Sequence, residues 1–290
     1  MVYPLFIQSI INGLLIGGIY SLVAVGLSLI FGVMNIVNFA HGAFMMLGMY
    51  LSYWLFSAFG LDPYFSLVFC FPLFFLFGAF IQQILIKPIL NAPHSAQLLL
   101  TTGIMLFLEN AALFLWSPDY RAVKVAYAGN SILLGQYIIV VPRLIAFLSA
   151  IIITLLLFAF LKTTYTGKAI RAISSEKEGA MYVGINVDRI YVIAFAIGTA
   201  LVAVSGTLIS PFFYVSPHVG NVFLITAFVV VVLGGMGDLL GALISGFIVG
   251  VAESLGALFL PGSLKQIVPY LIFVCILIFK PEGLFGRRQK

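Results

Sequence analysis

An all-α fold that crosses a membrane many times is predicted by three observations on this 290-residue chain. It is 63% hydrophobic and only 8% charged, where a soluble domain carries roughly 25% charge. Its apolar runs repeatedly reach the roughly 20 residues that a helix needs to cross the hydrocarbon core. Those runs are continuous and lack the alternating pattern of an outer-membrane barrel.

The first run, at about 5–31, follows MVYPLFIQSII, which lacks the basic region of a cleavable signal and is expected to stay as a helix. Residues 31–42 then interrupt the hydrophobic stretch with Gly32, Asn35, Asn38, His41 and Gly42. Spans at about 42–59 and 64–86 follow, the second ending at a turn whose Pro88 and Pro93 read as a rigid bend. The fourth, at about 97–117, carries Glu109 beside Asn110. Residues 117–141 are the longest outer segment, holding Asp119, Arg121, Lys124, Gly129 and Asn130; they could shape a surface for an external partner, but a connector is the favoured reading. A fifth span at about 139–161 leads into the charged stretch 162–189. Spans at about 190–210 and 221–237 come next, and four glycines break the chain within 233–242. The last two, at about 240–260 and 265–280, carry Glu253 beside Ser254 and lead to a basic tail. The count is nine, with eight as the alternative, in one membrane domain over residues 1–290 that has no soluble unit large enough to fold alone.

Orientation follows from the basic residues. With the N-terminus outside and the C-terminus cytoplasmic, Lys87, Lys162, Lys168, Arg171, Lys177, Arg189, Lys280, Arg287, Arg288 and Lys290 face the cytoplasm, ten of fourteen. Arg121, Lys124, Arg143 and Lys265 face out. The net charge of +5 therefore reports topology and contact with anionic lipid; spread along loops, it forms no nucleic-acid stripe. Cys70 and Cys275 fall inside spans and are expected to be reduced and buried.

Within 162–189 the sequence carries the signals of one short helix, from about Glu176 to Val183. Ser175 can cap its first turn with Glu178 reaching back, and Gly184 offers a left-handed stop. So short a helix is marginal alone and needs packing, for which Ala180, Met181 and Val183 are available. The breaks at 35–42 and 234–242 are expected to meet and line a pathway, since irregular backbone at membrane depth must be buried in protein or face a water-filled cavity. Asn35, Asn38, His41, Gly235 and Gly237 are the candidate lining residues. Gly13/Gly17, Gly237/Gly241 and Gly246/Gly250 have the spacing that lets helices approach closely, within the chain first of all.

Most enzyme chemistry is absent. Gly167-Lys168 is the one Gly-Lys pair, with Lys162 five residues before the glycine and no Ser or Thr after the lysine, so no phosphate-cradling loop exists. Gly235-Met236-Gly237-Asp238 matches the GxGD pattern of intramembrane aspartyl proteases, but Asp62, Asp119 and Asp188 all fall in loops and leave it without a second carboxylate. No G-x-S-x-G elbow, HExxH or Cys/His cluster occurs, so neither a serine hydrolase nor a bound metal is expected. Glu109 and Glu253 have two readings, a hydrogen-bonded carboxyl that ties helices together or a substrate or proton site, and the first is favoured.

The ordered motifs resemble the permease subunits of bacterial ABC importers for branched-chain amino acids over almost the whole chain. They are Tyr20-Ser21-Leu22 through Gly26-Leu27, Asn38-Phe39-Ala40-His41-Gly42, Lys87-Pro88, Thr101-Thr102-Gly103, Gly167-Lys168-Ala169-Ile170-Arg171-Ala172, Gly184-Ile185-Asn186, Gly234-Gly235 to Gly241-Ala242, and Pro281-Glu282-Gly283-Leu284-Phe285-Gly286-Arg287. The resemblance implies a multi-pass protein of the bacterial inner membrane, needing no cofactor. Its expected partners are a homologous second permease, two ATP-binding subunits and an extracytoplasmic binding protein. A coupling helix at 176–183 would enter the ATPase through Glu176, Glu178, Gly179, Ala180, Met181 and Gly184. Glu178-Gly179-Ala180 stands where relatives often show consecutive alanines, and Asp238 replaces a small or neutral residue. The pathway's cargo is left open among leucine, isoleucine, valine, other amino acids, urea and short amides. A proton-coupled secondary transporter using Glu109 or Glu253, and a protease using Asp238, are the readings from other classes.

Overall fold

Uninterrupted apolar sequence makes α1 (Val2–Met34) a single helix of 33 residues, about 50 Å long and well over the hydrocarbon thickness. The computed structural model describes residues 2–260, 264, 267–280 and 282–286. The other helices are α2 (His41–Phe59), α3 (Pro63–Ile81), α4 (His94–Trp116), α5 (Val141–Thr163), α6 (Tyr165–Ser175), α7 (Lys177–Tyr182), α8 (Val187–Ile209), α9 (Val219–Gly234), α10 (Leu239–Phe259) and α11 (Ile267–Phe279). Helices α1 and α8 form the core. Every residue of α8 from Ala194 to Ile209 is buried, so it needs no polar face and its sequence shows none.

Small residues set how closely these helices pack. A Cβ on Gly13 would lie 2.6 Å from Val251 Cα, and one on Gly250 would lie 2.5 Å from Gly17 Cα, so α1 and α10 touch backbone to backbone. The glycine pairs at 13/17 and 246/250 thus serve packing within the chain. Gly48 of α2 meets Ala203 of α8 in the same way, and Gly78 of α3 meets Thr199. Without hydrophobic drive between helices in lipid, such contact is where their association energy comes from.

Seven described helices are long and apolar enough to cross a membrane: α1, α2, α4, α5, α8, α10, and α3 with its extension. That is fewer than the nine spans expected because α9, with 16 residues, and α11, with 13, are short. Helix α2 is also displaced. After α1 ends, residues 35–40 turn back into the bundle and α2 begins at His41, whose Nε2 donates to the carbonyl of Val23 at 3.0 Å. Val23 precedes the end of α1 by eleven residues, so α2 begins about 16 Å inside the far end of α1. Helix α9 starts at the same depth, with Gly220 packed on the backbone of Gly42.

Four sequence expectations need correction. Residues 117–141 are not bare connector, because β1 (Ser131–Leu134) and β2 (Tyr137–Val140) pair antiparallel about a turn at Gly135, which takes φ +64. Hydrophobic and β-branched residues flanking a glycine turn favour this hairpin, and the side chain of Gln8 clamps it by bonding both N–H and C=O of Ile138. Second, Cys275 is exposed on α11, while Cys70 is buried and accepts from Thr207 Oγ1 at 3.2 Å. Third, Ser175 does not cap the short helix. It ends α6, an amphipathic helix capped by Thr164, which accepts from Gly167 N at 3.0 Å. Burial of Ala169, Ile170 and Ile173 holds α6 helical through Ser175, and the kink moves one residue on, to Glu176. Fourth, of the residues expected to pack the short helix only Ala180 is buried; Met181 and Val183 are exposed. Lys265, Pro281, Arg287, Arg288 and Lys290 lie outside the described residues.

In the connecting segments, Tyr127 donates to Asp62 Oδ2 at 2.6 Å. Burial first, and then that bond, push its phenol pKa up. Asp62 also caps α3 by accepting from Tyr64 N at 2.9 Å.

Candidate functional site

Both breaks reach one end of the bundle, and a cavity of about 1090 Å³ opens there. Its first wall is the last turns of α1, with Ser28, Gly32 and Asn35. Asn35 is held at φ +54, a left-handed conformation that asparagine tolerates better than most residues. The opposite wall is the second break, where Gly235 and Gly237 take φ +102 and +87. The last turns of α1 touch the second break: a Cβ on Gly32 would lie 3.0 Å from the Gly237 carbonyl oxygen, and Ser28 Oγ donates to the Asp238 carbonyl at 3.2 Å.

Asp238, the residue that matched the protease pattern, caps α10. Its carboxylate accepts from Gly241 N at 2.7 Å, next to the partial positive charge of the helix start. The carbonyls at the end of α9 are satisfied from an unexpected direction, since Leu284 N donates to Leu233 O at 2.7 Å and Phe285 N to Gly234 O at 3.1 Å. The C-terminal motif is thus a lid on the exposed end of α9, a place where helix carbonyls otherwise go unpaired.

The remaining wall comes from α5, α6, α7 and α8, and it is charged. Lys162, Arg171, Lys177 and Glu176 line it together with Ser174 and Tyr191, and Lys177 Nζ lies 5.7 Å from the Tyr191 ring centroid. Sequence reasoning passed over Arg171, Ser174 and Tyr191 as cavity residues. The signal was there in α6, whose Ala169, Ile170 and Ile173 at helical spacing mark a buried face; Ser174, four residues after Ile170, flanks that face with exposed Arg171 beside it, and both reach the cavity.

Of the residues singled out for the pathway, Asn35 and Gly237 line this cavity. Asn38 and His41 are fully buried in the core: Asn38 Oδ1 accepts from Ala40 N at 3.1 Å, shaping the re-entrant turn, and His41 fastens α2 to α1 as described. Gly235 is buried beneath Gly283 and Gly286.

The short helix α7 stands beside the cavity. Glu176 precedes it, Glu178 is exposed in its first turn, Gly179 is half-buried, and Gly184 takes φ +83 just after it. Ala180 is 4% exposed, against 46% for Met181, 86% for Tyr182 and 76% for Val183. One apolar residue therefore anchors α7 to its own chain and three present a patch outward. Close by, Lys87 Nζ and Asp188 Oδ2 pair at 2.7 Å, tying the end of α3 to the start of α8.

The carboxylates inside the helices have particular partners. Glu253 accepts from the Tyr20 hydroxyl at 2.7 Å, linking α10 to α1. Glu109 is 4% exposed with Oε2 3.5 Å from His218 Nδ1, which joins α4 to the residue preceding α9. Its neighbour Asn110 is exposed, and its amide donates to the Leu106 carbonyl of the same helix at 2.7 Å.

The family described as branched-chain amino acid transport system permease component matches residues 9–277. The high-affinity branched-chain amino acid transport system permease protein LivH of Salmonella typhimurium is 30% identical, covering 98% of this chain and 96% of its own length. The permease protein BraD of Pseudomonas aeruginosa is 28% identical over 98% of this chain and 97% of its own. A probable branched-chain amino acid transport permease of Methanocaldococcus jannaschii is 27% identical over 91% and 88%. No solved structure matches. A re-entrant α2, two breaks bordering one polar cavity and a match over nearly the whole chain agree, and the chain belongs to the family of permease components of branched-chain amino acid transport systems.

Proposed function

We propose that this permease subunit carries branched-chain amino acids across the bacterial inner membrane, with the basic end of the bundle in the cytoplasm and the N-terminus outside. Nine segments then traverse the bilayer, α9 as a half-helix continued by its re-entrant loop. The cavity between the breaks is the cytoplasmic half of the path. Its volume exceeds what a small ligand needs, and its three cations, two carboxylates and hydroxyls suit a zwitterion held weakly in transit. Selectivity would rest with an extracytoplasmic binding protein, and ATP hydrolysis with two partner subunits beside a second, homologous permease.

The observation that carries this reading is the outward apolar patch of α7. A six-residue helix is too short to persist alone, and Met181, Tyr182 and Val183 have no use for exposure on the basic face unless another protein covers them. The ATP-binding subunit is that protein. Because Ala180 is already buried in its own chain, Ala180→Arg would damage this subunit and the contact alike; Val183→Asp touches the contact alone.

The test is reconstitution of all subunits in vesicles. Wild type should take up leucine on addition of ATP alone, with or without a proton gradient, and should prefer it to urea. Val183→Asp should lower both ATPase co-purification and uptake at least about tenfold, the loss of roughly 1.4 kcal/mol or more at an interface, with normal membrane insertion. Co-purification at the wild-type level in that variant would overturn the assignment of α7.

A further inference from the structure

At the other end of the molecule α2, α3 and α4 enclose a groove of about 290 Å³, lined by Leu47, Leu51, Trp54, Leu73, Phe77 and Trp116. From Leu47 to Trp54 it runs about 10 Å along α2. The helices beside it turn Phe65, Phe69 and Leu76 of α3, and Phe107 and Phe114 of α4, outward, the surface expected where a helix meets acyl chains. Both tryptophans of the chain stand in the groove, and tryptophan marks the depth at which hydrocarbon gives way to headgroups.

A cation sits at its rim. The Arg121 guanidinium carbon lies 5.3 Å from the ring centroids of both Tyr53 and Trp54. Its Nη2 donates to the Trp116 carbonyl at 2.6 Å, and its Nη1 makes a long contact of 3.5 Å with Tyr53 Oη. Nε is sealed from the surface without a partner, so the donors open to an anion are the second N–H groups of Nη1 and Nη2, and among the described residues no carboxylate lies within salt-bridge distance. A half-buried guanidinium with donors to spare is costly at the membrane boundary without an anion. Its fork matches the oxygens of a phosphodiester.

We propose that this groove and Arg121 bind one membrane glycerophospholipid, with an acyl chain against Leu47, Leu51 and Phe77 and the phosphate on Arg121. An apolar slot ending at an unneutralised cation, with Trp54 and Trp116 belonging to both, is complementary to that amphiphile and to neither half of it alone. The bound lipid would brace the end of α4 against α2.

The test is native mass spectrometry on the delipidated full-length chain, titrated with dioleoylphosphatidylglycerol or with dioleoylglycerol, which lacks the phosphate. The phospholipid should bind saturably, and at least tenfold more tightly than dioleoylglycerol. Arg121→Gln should remove that preference. Leu73→Trp, at a position 50% exposed where added bulk fills the groove without disturbing the core, should weaken both lipids several-fold. Equal binding of the two lipids by wild type, or unchanged binding in both variants, would overturn the proposal. So would absence of the phospholipid from the purified four-subunit assembly, since the groove would then belong to a partner subunit.

Discussion

Glu253 is buried between two long helices, and only its hydrogen bonding makes that position tolerable. Its carboxylate accepts from Tyr20; a glutamine keeps an acceptor oxygen there, whereas a leucine strands the phenolic hydroxyl. Glu253→Gln is expected to retain most uptake, and Glu253→Leu to lose about 1–3 kcal/mol of stability, read as a lower thermal midpoint of the purified chain. Lost uptake in the glutamine variant, with assembly and thermal midpoint intact, would instead mark Glu253 as a proton-coupling group. Asp238 shows how local sequence pattern misleads at this scale. Its match to a protease motif comes from helix capping, in which an aspartate after a glycine turn accepts from the Gly241 N–H in the first turn of α10.

At the scale of the element, backbone contact decides which glycines matter. Gly13→Ala and Gly250→Ala would each push a methyl into the facing backbone of the α1–α10 seam, where neither helix can yield by moving a side chain. Each should cost about 1–3 kcal/mol, measured by thermal unfolding in detergent. Gly103→Ala on α4 meets nothing within 4 Å and should be neutral or stabilising by up to about 1 kcal/mol. Equal effects at all three sites would show that the seam is not as tight as described. Helix α6 went unread for another reason: its amphipathic pattern lies in the charged stretch, away from the long apolar runs that mark spans, and its boundary at Ser175 follows from the burial of Ala169, Ile170 and Ile173 in the tertiary structure.

For the whole molecule, the end where the breaks meet is the end that opens to water. Single cysteines at Ser174 and Met236, in a background with Cys70 and Cys275 replaced, should react with a small water-soluble thiol reagent. A cysteine at Asn38 should stay protected, because that side chain is buried in the core. Labelling of Asn38→Cys at the rate of the other two would mean that the re-entrant turn opens, and protection of all three that the cavity is closed in the membrane.

Composition and run length alone determine that this chain is a helical membrane protein, since no soluble core could bury so much apolar surface and no barrel has such continuous runs. The same local information located both helix breaks, because glycines, asparagines and a histidine clustered within a few residues conflict with plain spanning helix, where single glycines such as Gly48 and Gly78 do not. Tertiary structure alone decides where α2 and α9 begin in depth, since that depends on a long-range bond from His41 to Val23 and on Gly42 meeting Gly220. It also decides that Asn35 faces the cavity while Asn38, three residues on, lies in the core. Those two asparagines look alike to any rule that reads neighbours in sequence; they differ because Asn35 itself takes the left-handed conformation, after which the chain folds back into the core.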